Sequence, residues 1–388
     1  MISRFFFKNN FNFVSTKKNR NIISRYYSSS NILNYSLGRA CLYHVLKKEI
    51  KNYKNEIITT PLTLPSIINI IKLTKAKIKY VDINLYTGLP IVSDLKRKIN
   101  SKTSLILITH LYSDKKTLMK ISSLKKINNN FKIIEDVAIN FGLKKSNKKI
   151  TNLNADYSFF SFNFMKNFHS IVGGTLLVKN RKSLNRLRKE QSKFKNFNNF
   201  LLFKLFFKYL IINLITQKRL FSFLFFYFFK YIEFKNIKFF KKIIYPGYFN
   251  KVNSKEVLYY KKNNLGQIFL PTKIPEIKND IKEKVKKLEF FYKNLKLNKN
   301  LIVFNPKEVD SINLEYLVII KKDFKNLYYH LLNKKIYLRK HWYKNNNSKF
   351  KNSEFVANNA LLLPTHNKIK KSEINYICKT INNFYEAL

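Results

Sequence analysis

From Leu33 to Lys179 short apolar runs alternate with polar stretches of helical character. Ile57-Ile58-Thr59-Thr60-Pro61, Ile78-Lys79-Tyr80-Val81-Asp82, Leu105-Ile106-Leu107-Ile108-Thr109 and Lys132-Ile133-Ile134-Glu135-Asp136 read as strands, each preceded or followed by a Lys-rich amphipathic helix. Repeated strand and helix units of this length predict an α/β fold whose mostly parallel sheet is covered on both faces. In such a sheet a ligand lies outside the carboxyl ends of the strands. Asp136 falls at one of those ends.

A different pattern follows between Phe194 and Phe249. The runs from Phe203 to Ile215 and from Leu220 to Phe229 are strongly apolar but interrupted by Lys204 and Lys208, and separated by Lys218 and Arg219. Neither reaches the roughly 18 uninterrupted residues of a membrane span. Two readings stand: a basic amphipathic pair lying on an anionic membrane or at a dimer interface, or a buried helical hairpin. The patterning divides the chain into a leader at 1–30, a large domain at 31–193, an apolar basic insert at 194–262, and a linker helix with a small C-terminal domain at 263–388, the small domain beginning near Asn300. A chain of 388 residues exceeds the usual size of one core, in keeping with two domains.

Composition changes this picture little. Hydrophobic residues make up 45% and run from end to end, as in a folded protein. The net charge of +53 would by itself suggest nucleic acid as a partner, but the lysines are spread along the whole chain and no element concentrates them with aromatics or arginines set to read bases. Nucleic-acid binding is therefore not expected. Cys41 and Cys378 lie far apart without metal-ligand spacing and read as buried thiols in a reducing compartment. No acidic residue precedes Glu49, and the leader carries Arg4, Lys8, Lys17, Lys18, Arg20 and Arg25 among Ser, Phe and Asn. That is the make-up of a mitochondrial transit peptide, with Ser24-Arg25-Tyr26-Tyr27-Ser28 like a processing site, which places the mature protein in the matrix. The alternative is a cytoplasmic protein whose leader is free of acids by chance.

The chemistry gathers further on. Ser161-Phe162 is followed by Lys166, and then by Gly173-Gly174 between apolar strand residues. The chain has only seven glycines, so an adjacent pair marks backbone that needs a close approach or positive φ. The run Ser161-Phe162-x-x-x-Lys166 with Gly173-Gly174 resembles the lysine motif of the DegT/DnrJ/StrS family of sugar aminotransferases, which are pyridoxal 5′-phosphate (PLP) enzymes of fold type I. Ile134-Glu135-Asp136-Val137-Ala138 with Gly142 is similar to the family's cofactor-aspartate motif. Gly38-Arg39-Ala40 resembles its phosphate-receiving segment, Pro61-Leu62-Thr63-Leu64-Pro65-Ser66 its next loop, and Leu361-Leu362-Leu363-Pro364 with a helix from Lys371 to Tyr385 its closing strand and helix. Tyr80-Val81-Asp82-Ile83 and the run from Lys102 to Leu111 fall between them in family order, so that the resemblance covers about residues 33–180 and 263–388.

This resemblance implies a fold type I architecture: a large domain with a mixed, mostly parallel sheet and a small C-terminal α+β domain. It implies that Lys166 holds PLP as a Schiff base and then moves the proton on the substrate carbon. Asp136 would keep the pyridine nitrogen protonated, so that the ring acts as an electron sink. The amides of Gly38, Arg39 and Ala40 at a helix start would receive the cofactor phosphate, helped by the Ser161 hydroxyl. The implied reaction moves an amino group from an amino acid such as glutamate to a keto-sugar nucleotide, in a homodimer. A dehydratase, a non-sugar aminotransferase and a non-catalytic scaffold of the same fold are the alternatives. His110, at a strand end, either borders the ring or is a satisfied structural histidine. The chain departs from the family at Arg39, where many relatives have Thr, at Ile139, often Gln or His, at Val172, often Glu, and at Ser113, usually Gly. These departures bear on substrate handling.

Overall fold

The structure, a computed structural model, describes residues 2–3, 24, 26, 29–127, 130–143, 155–163, 166, 170–235, 237, 274–309, 311–313, 315–340 and 349–388. Most of the leader, with Arg25, Tyr27 and Ser28 of the processing site, lies outside the described residues, as do Phe164, Met165 and Asn167 of the lysine run and residues 238–273.

The strands expected from the pattern pair side by side. Ile32–Tyr35 (β1), Glu56–Thr59 (β2), Lys77–Tyr80 (β3), Thr103–Thr109 (β4), Lys132–Asp136 (β5), Tyr157–Ser161 (β6) and Gly174–Val178 (β7) form one seven-stranded sheet in the order β1-β7-β6-β5-β4-β2-β3. Within this sheet β7 alone runs against its neighbours. Alternation of side chains divides the apolar runs between two faces. Ile57, Leu105, Leu107 and Ile134 pack under Gly38–Glu49 (α1) and Pro65–Leu73 (α2). Ile58, Ile106, Ile108 and Ile133 pack under Val92–Lys98 (α3) and Lys115–Ser123 (α4). A sheet buried on both faces needs apolar residues at consecutive positions, which is why these strands read as continuous runs. Each buried Leu or Ile contributes roughly 1.5–3 kcal/mol relative to leaving it in water.

After Arg181–Gln191 (α5) comes the insert: Asn199–Ile215 (α6) and Lys218–Lys235 (α7), bent by 59° where they meet. Asn198 caps α6, its side chain accepting from the Phe200 amide at 2.8 Å. No single helix among the described residues is long and apolar enough to cross a membrane. The inner faces of the pair are packed: Leu202 joins Ile171, Val172 and Phe197, while Phe221 and Phe226 enter the core of the small domain. The outer faces are exposed, so the reading as a hairpin buried all round does not hold.

The small domain follows Ile274–Asn294 (α8). Leu301–Val303 (β8), Glu315–Ile320 (β9), Arg339–Lys340 (β10) and Ala360–Pro364 (β11) make an antiparallel sheet in the order β8-β9-β11-β10. Phe324–Asn333 (α9), Lys351–Asn359 (α10) and Lys371–Glu386 (α11) pack with it. The domains are joined by an unusual helix cap. Phe350, at the N-cap of α10, makes no side-chain cap bond. Asp82 of the large domain supplies it instead, its carboxylate accepting from the amides of Asn352 and Ser353 at 2.9 Å each and from the Ser353 hydroxyl at 2.7 Å. A carboxylate at a helix N-terminus satisfies amides that the helix leaves open and suits the positive end of the helix dipole.

Candidate active site

The site is built where β5, β6, β7 and the start of α1 meet. β6 ends at Ser161 and the chain leaves the sheet in a loop that returns at Gly173. The neck of this loop is closed by the Phe162 amide donating to the Gly173 carbonyl at 2.9 Å and the Ser170 amide donating to the Phe162 carbonyl at 2.7 Å. Lys166 sits inside it, its own amide donating to the Asn163 carbonyl at 3.0 Å. Next to β6, the neighbouring strand β5 ends at Asp136, which is buried and accepts from the Ala138 amide at 3.0 Å.

Helix α1 begins beside this loop. Its N-cap position is Leu37, which has no side-chain acceptor, whereas α4 and α5 are capped by Asp114 and Asn180. The Ala40 amide is already taken by the Leu37 carbonyl, so the expected phosphate contact rests on the Gly38 and Arg39 amides, where the helix dipole favours an anion. The backbones here are in contact. A Cβ placed on Gly38 would stand 2.8 Å from the Ser161 Cβ, and one placed on Gly174 would stand 2.5 Å from the Gly38 nitrogen and the Leu37 carbonyl. Gly173 adds a φ of 152°. The glycine pair is therefore required by close approach at one residue and by conformation at the other. The Ala40 amide turns back to the Leu37 carbonyl at 3.1 Å as the first turn closes, while Arg39 projects a partly buried guanidinium.

The expected residues converge electrostatically. Burial lowers the Lys166 amine to about 8, with Arg339 and Arg39 adding to the effect and Asp136 opposing it. Burial raises the Asp136 carboxyl above its ordinary range, against the pull of the Ala138 amide, Lys166 and His110. An amine tuned in this way is neutral in a useful fraction near neutral pH. Arg339 was not foreseen. It comes from β10 of the small domain and is held by Glu315 at 3.2 Å, both side chains being largely buried. In a lysine-rich chain a single arginine on a two-residue strand carries no signal of its own. His110 is buried, with its Nε2 3.5 Å from the Glu135 carboxylate and no hydrogen bond to it among the described residues. Ile139 packs beside the cluster of Leu62, Tyr112 and Phe304, Val172 packs against the insert, and the Ser113 hydroxyl is buried without a partner.

Solved structures define the class of fold. An aminotransferase, TlmJ, from Streptoalloteichus hindustanus matches with a TM-score of 0.70 at 13% identity, covering 96% of this chain and 92% of that one. Helicobacter pylori PseC, an aminotransferase involved in the biosynthesis of pseudoaminic acid, matches with a TM-score of 0.69 at 16% identity, covering 94% and 90%. The fold is the one these aminotransferases have, a large domain on a mixed, mostly parallel sheet followed by a small C-terminal domain, as the sequence resemblance implied. Residues 23–198 match the DegT/DnrJ/EryC1/StrS aminotransferase family. In line with that match, the chain is similar to GDP-perosamine synthase of Escherichia coli O157:H7, 37% identical over 130 residues, which are 34% of this chain and 35% of that protein. The similarity in sequence thus spans about a third of the relative's length.

Proposed function

We propose that the protein is a PLP-dependent aminotransferase that moves an amino group from an amino acid such as glutamate to a keto-sugar nucleotide. The observation that carries this reading is half-buried Lys166 in the loop after β6, its amine coupled to the buried Asp136 at the end of the neighbouring strand, beside the start of α1. These residues fit PLP by the chemistry of the donor set. The cofactor combines a phosphate, an aldehyde and a pyridine nitrogen, and supplies an electrophilic carbon and an electron sink. The head of α1 with Arg39 and Ser161 suits the phosphate, Lys166 the aldehyde, and Asp136 the protonated nitrogen. His110, whose Nε2 faces Glu135 at 3.5 Å, also acts on Asp136 and so belongs to the same polar group.

Each side chain then has a defined task. Lys166 Nζ would hold the cofactor's aldehyde, and when free would take and return the proton on the α carbon of the amino donor. Asp136 would keep the ring nitrogen protonated. Arg339, facing the amine from the small domain, is a cation suited to a carboxylate of the donor. A homodimer belongs to the same reading. The test is borohydride reduction of the protein loaded with PLP, followed by peptide mapping. The phosphopyridoxyl group is expected on Lys166 and absent from Lys166→Ala; its attachment to another lysine overturns the assignment.

A further inference from the structure

We propose that the outer face of α6 and α7 docks on an anionic lipid bilayer, along which the two helices lie. On α6, Phe200 and Phe203 are 76% and 65% exposed, and Phe207 and Leu214 are exposed as well. At about 100° per residue these positions form one stripe. Lys204 and Lys208, both exposed, border it. The stripe continues on α7, where Phe223 is 79% exposed and Tyr227 and Tyr231 also face outward. An apolar face of this extent on two successive helices calls for a cover.

The charges select the cover. Lys204, Lys208, Lys218, Arg219, Lys230 and Lys235 all belong to the pair. Lys218 is bonded to Glu373 at 2.7 Å. The one acid in the two helices, Glu233, has its side chain wholly buried against Lys340 at 2.7 Å, so the outward face is basic. A second copy seated there in a twofold contact would set this basic face against itself. An anionic lipid surface offers the opposite charge and an apolar interior together, which is the combination interfacial helices use. The helices lie along the surface because their inner faces are held by protein: Leu202 against Ile171 and Val172, and Phe221 and Phe226 in the core of the small domain. This docking is independent of the reaction proposed above.

The experiment is flotation of the full-length protein on a density gradient with vesicles of phosphatidylcholine and phosphatidylserine in equal parts, against vesicles of phosphatidylcholine alone. The protein is expected to float with the anionic vesicles, and at least tenfold less with neutral ones or in molar salt. The double variant Phe203→Ser, Phe207→Ser should lose flotation about tenfold, and Lys204→Gln with Lys208→Gln several-fold, both with unchanged circular dichroism. The lysine pair lies wholly on the surface and keeps the test valid if the phenylalanine variant misfolds. Absence of flotation, equal flotation with neutral vesicles, or equal flotation of the lysine variant would overturn the proposal. So would a twofold contact between copies that buries Phe203 and Phe207 in place of vesicle binding.

Discussion

The loop around Lys166 and the outer face of α6 and α7 break the ordinary rule of burial in opposite directions. In the first, a carboxylate and an imidazole are taken out of water and an amine is half-buried beside them. In the second, large apolar side chains are left in it. A buried polar group and an exposed apolar patch are each costly to the isolated fold, so each marks a place where something other than the fold set the residue. The two regions also show how one residue type takes two characters. Lys166 is drawn toward neutrality by burial and by two arginines, whereas Lys204 and Lys208 lie exposed on a helix surface. In a chain with so many lysines, the surroundings and not the residue identify the chemical one.

The strongest way to break this comparison is Asp136→Asn. It keeps size and hydrogen bonding but removes the charge, so single-turnover conversion of the loaded protein with glutamate should slow about a hundredfold, while cofactor binding suffers less. Equal rates by absorbance would make Asp136 an ordinary buried acid, and no conversion by the unmutated protein with any amino donor would favour a non-catalytic scaffold. Asp82→Ala sharpens the contrast from another side, because Asp82 is a polar group placed for architecture. Loss of its bonds to the head of α10 should cost about 1–3 kcal/mol in urea unfolding, with the Lys166 chemistry unchanged in the folded protein. A variant as stable as the parent would show that the cap contributes nothing. The smallest effect concerns Arg339→Gln. Arg339 and Arg39 both lower the Lys166 amine, so removing one cation should move the midpoint of borohydride trapping upward from about 8. The sign for stability agrees: an amine at about 8 when folded and at its ordinary value when unfolded leaves the unfolded chain with more protons between those values. Stability from this group therefore rises with pH across that window. An unmoved midpoint would place Arg339 outside the reach of Lys166.

Much of the large domain was legible because its strands are buried on both faces and so spell themselves out as apolar runs; Leu105 to Thr109 and Lys132 to Asp136 lie within β4 and β5. The place of Asp136 at a strand's carboxyl end was legible, and Lys166 was singled out by its neighbours, the glycine pair above all. Asp82 was read as one more strand end, because its partners Asn352 and Ser353 lie 270 and 271 residues away and no local pattern announces a cap lent across a domain boundary. Arg339 was missed for the same reason: its effect on Lys166 exists only once β10 has been brought to the large domain. The insert was left between two readings, since apolar runs with interrupting lysines suit a half-buried helix and a fully buried one alike until the packed side is known.

The contact between Gly38 and Gly174 also sets an order of assembly. These residues stand at opposite ends of the sheet's chain path, 136 positions apart, yet an added methyl group at Gly174 would collide with the backbone at Leu37 and Gly38. The head of α1 becomes a cradle only after β7 has come back to close against it. Closing a loop of that length carries an entropy cost that a local contact does not. A ligand that needs the cradle has nothing to hold in any earlier species, so it stabilises the finished domain alone, and the unfolding midpoint of the protein should rise with the logarithm of ligand concentration.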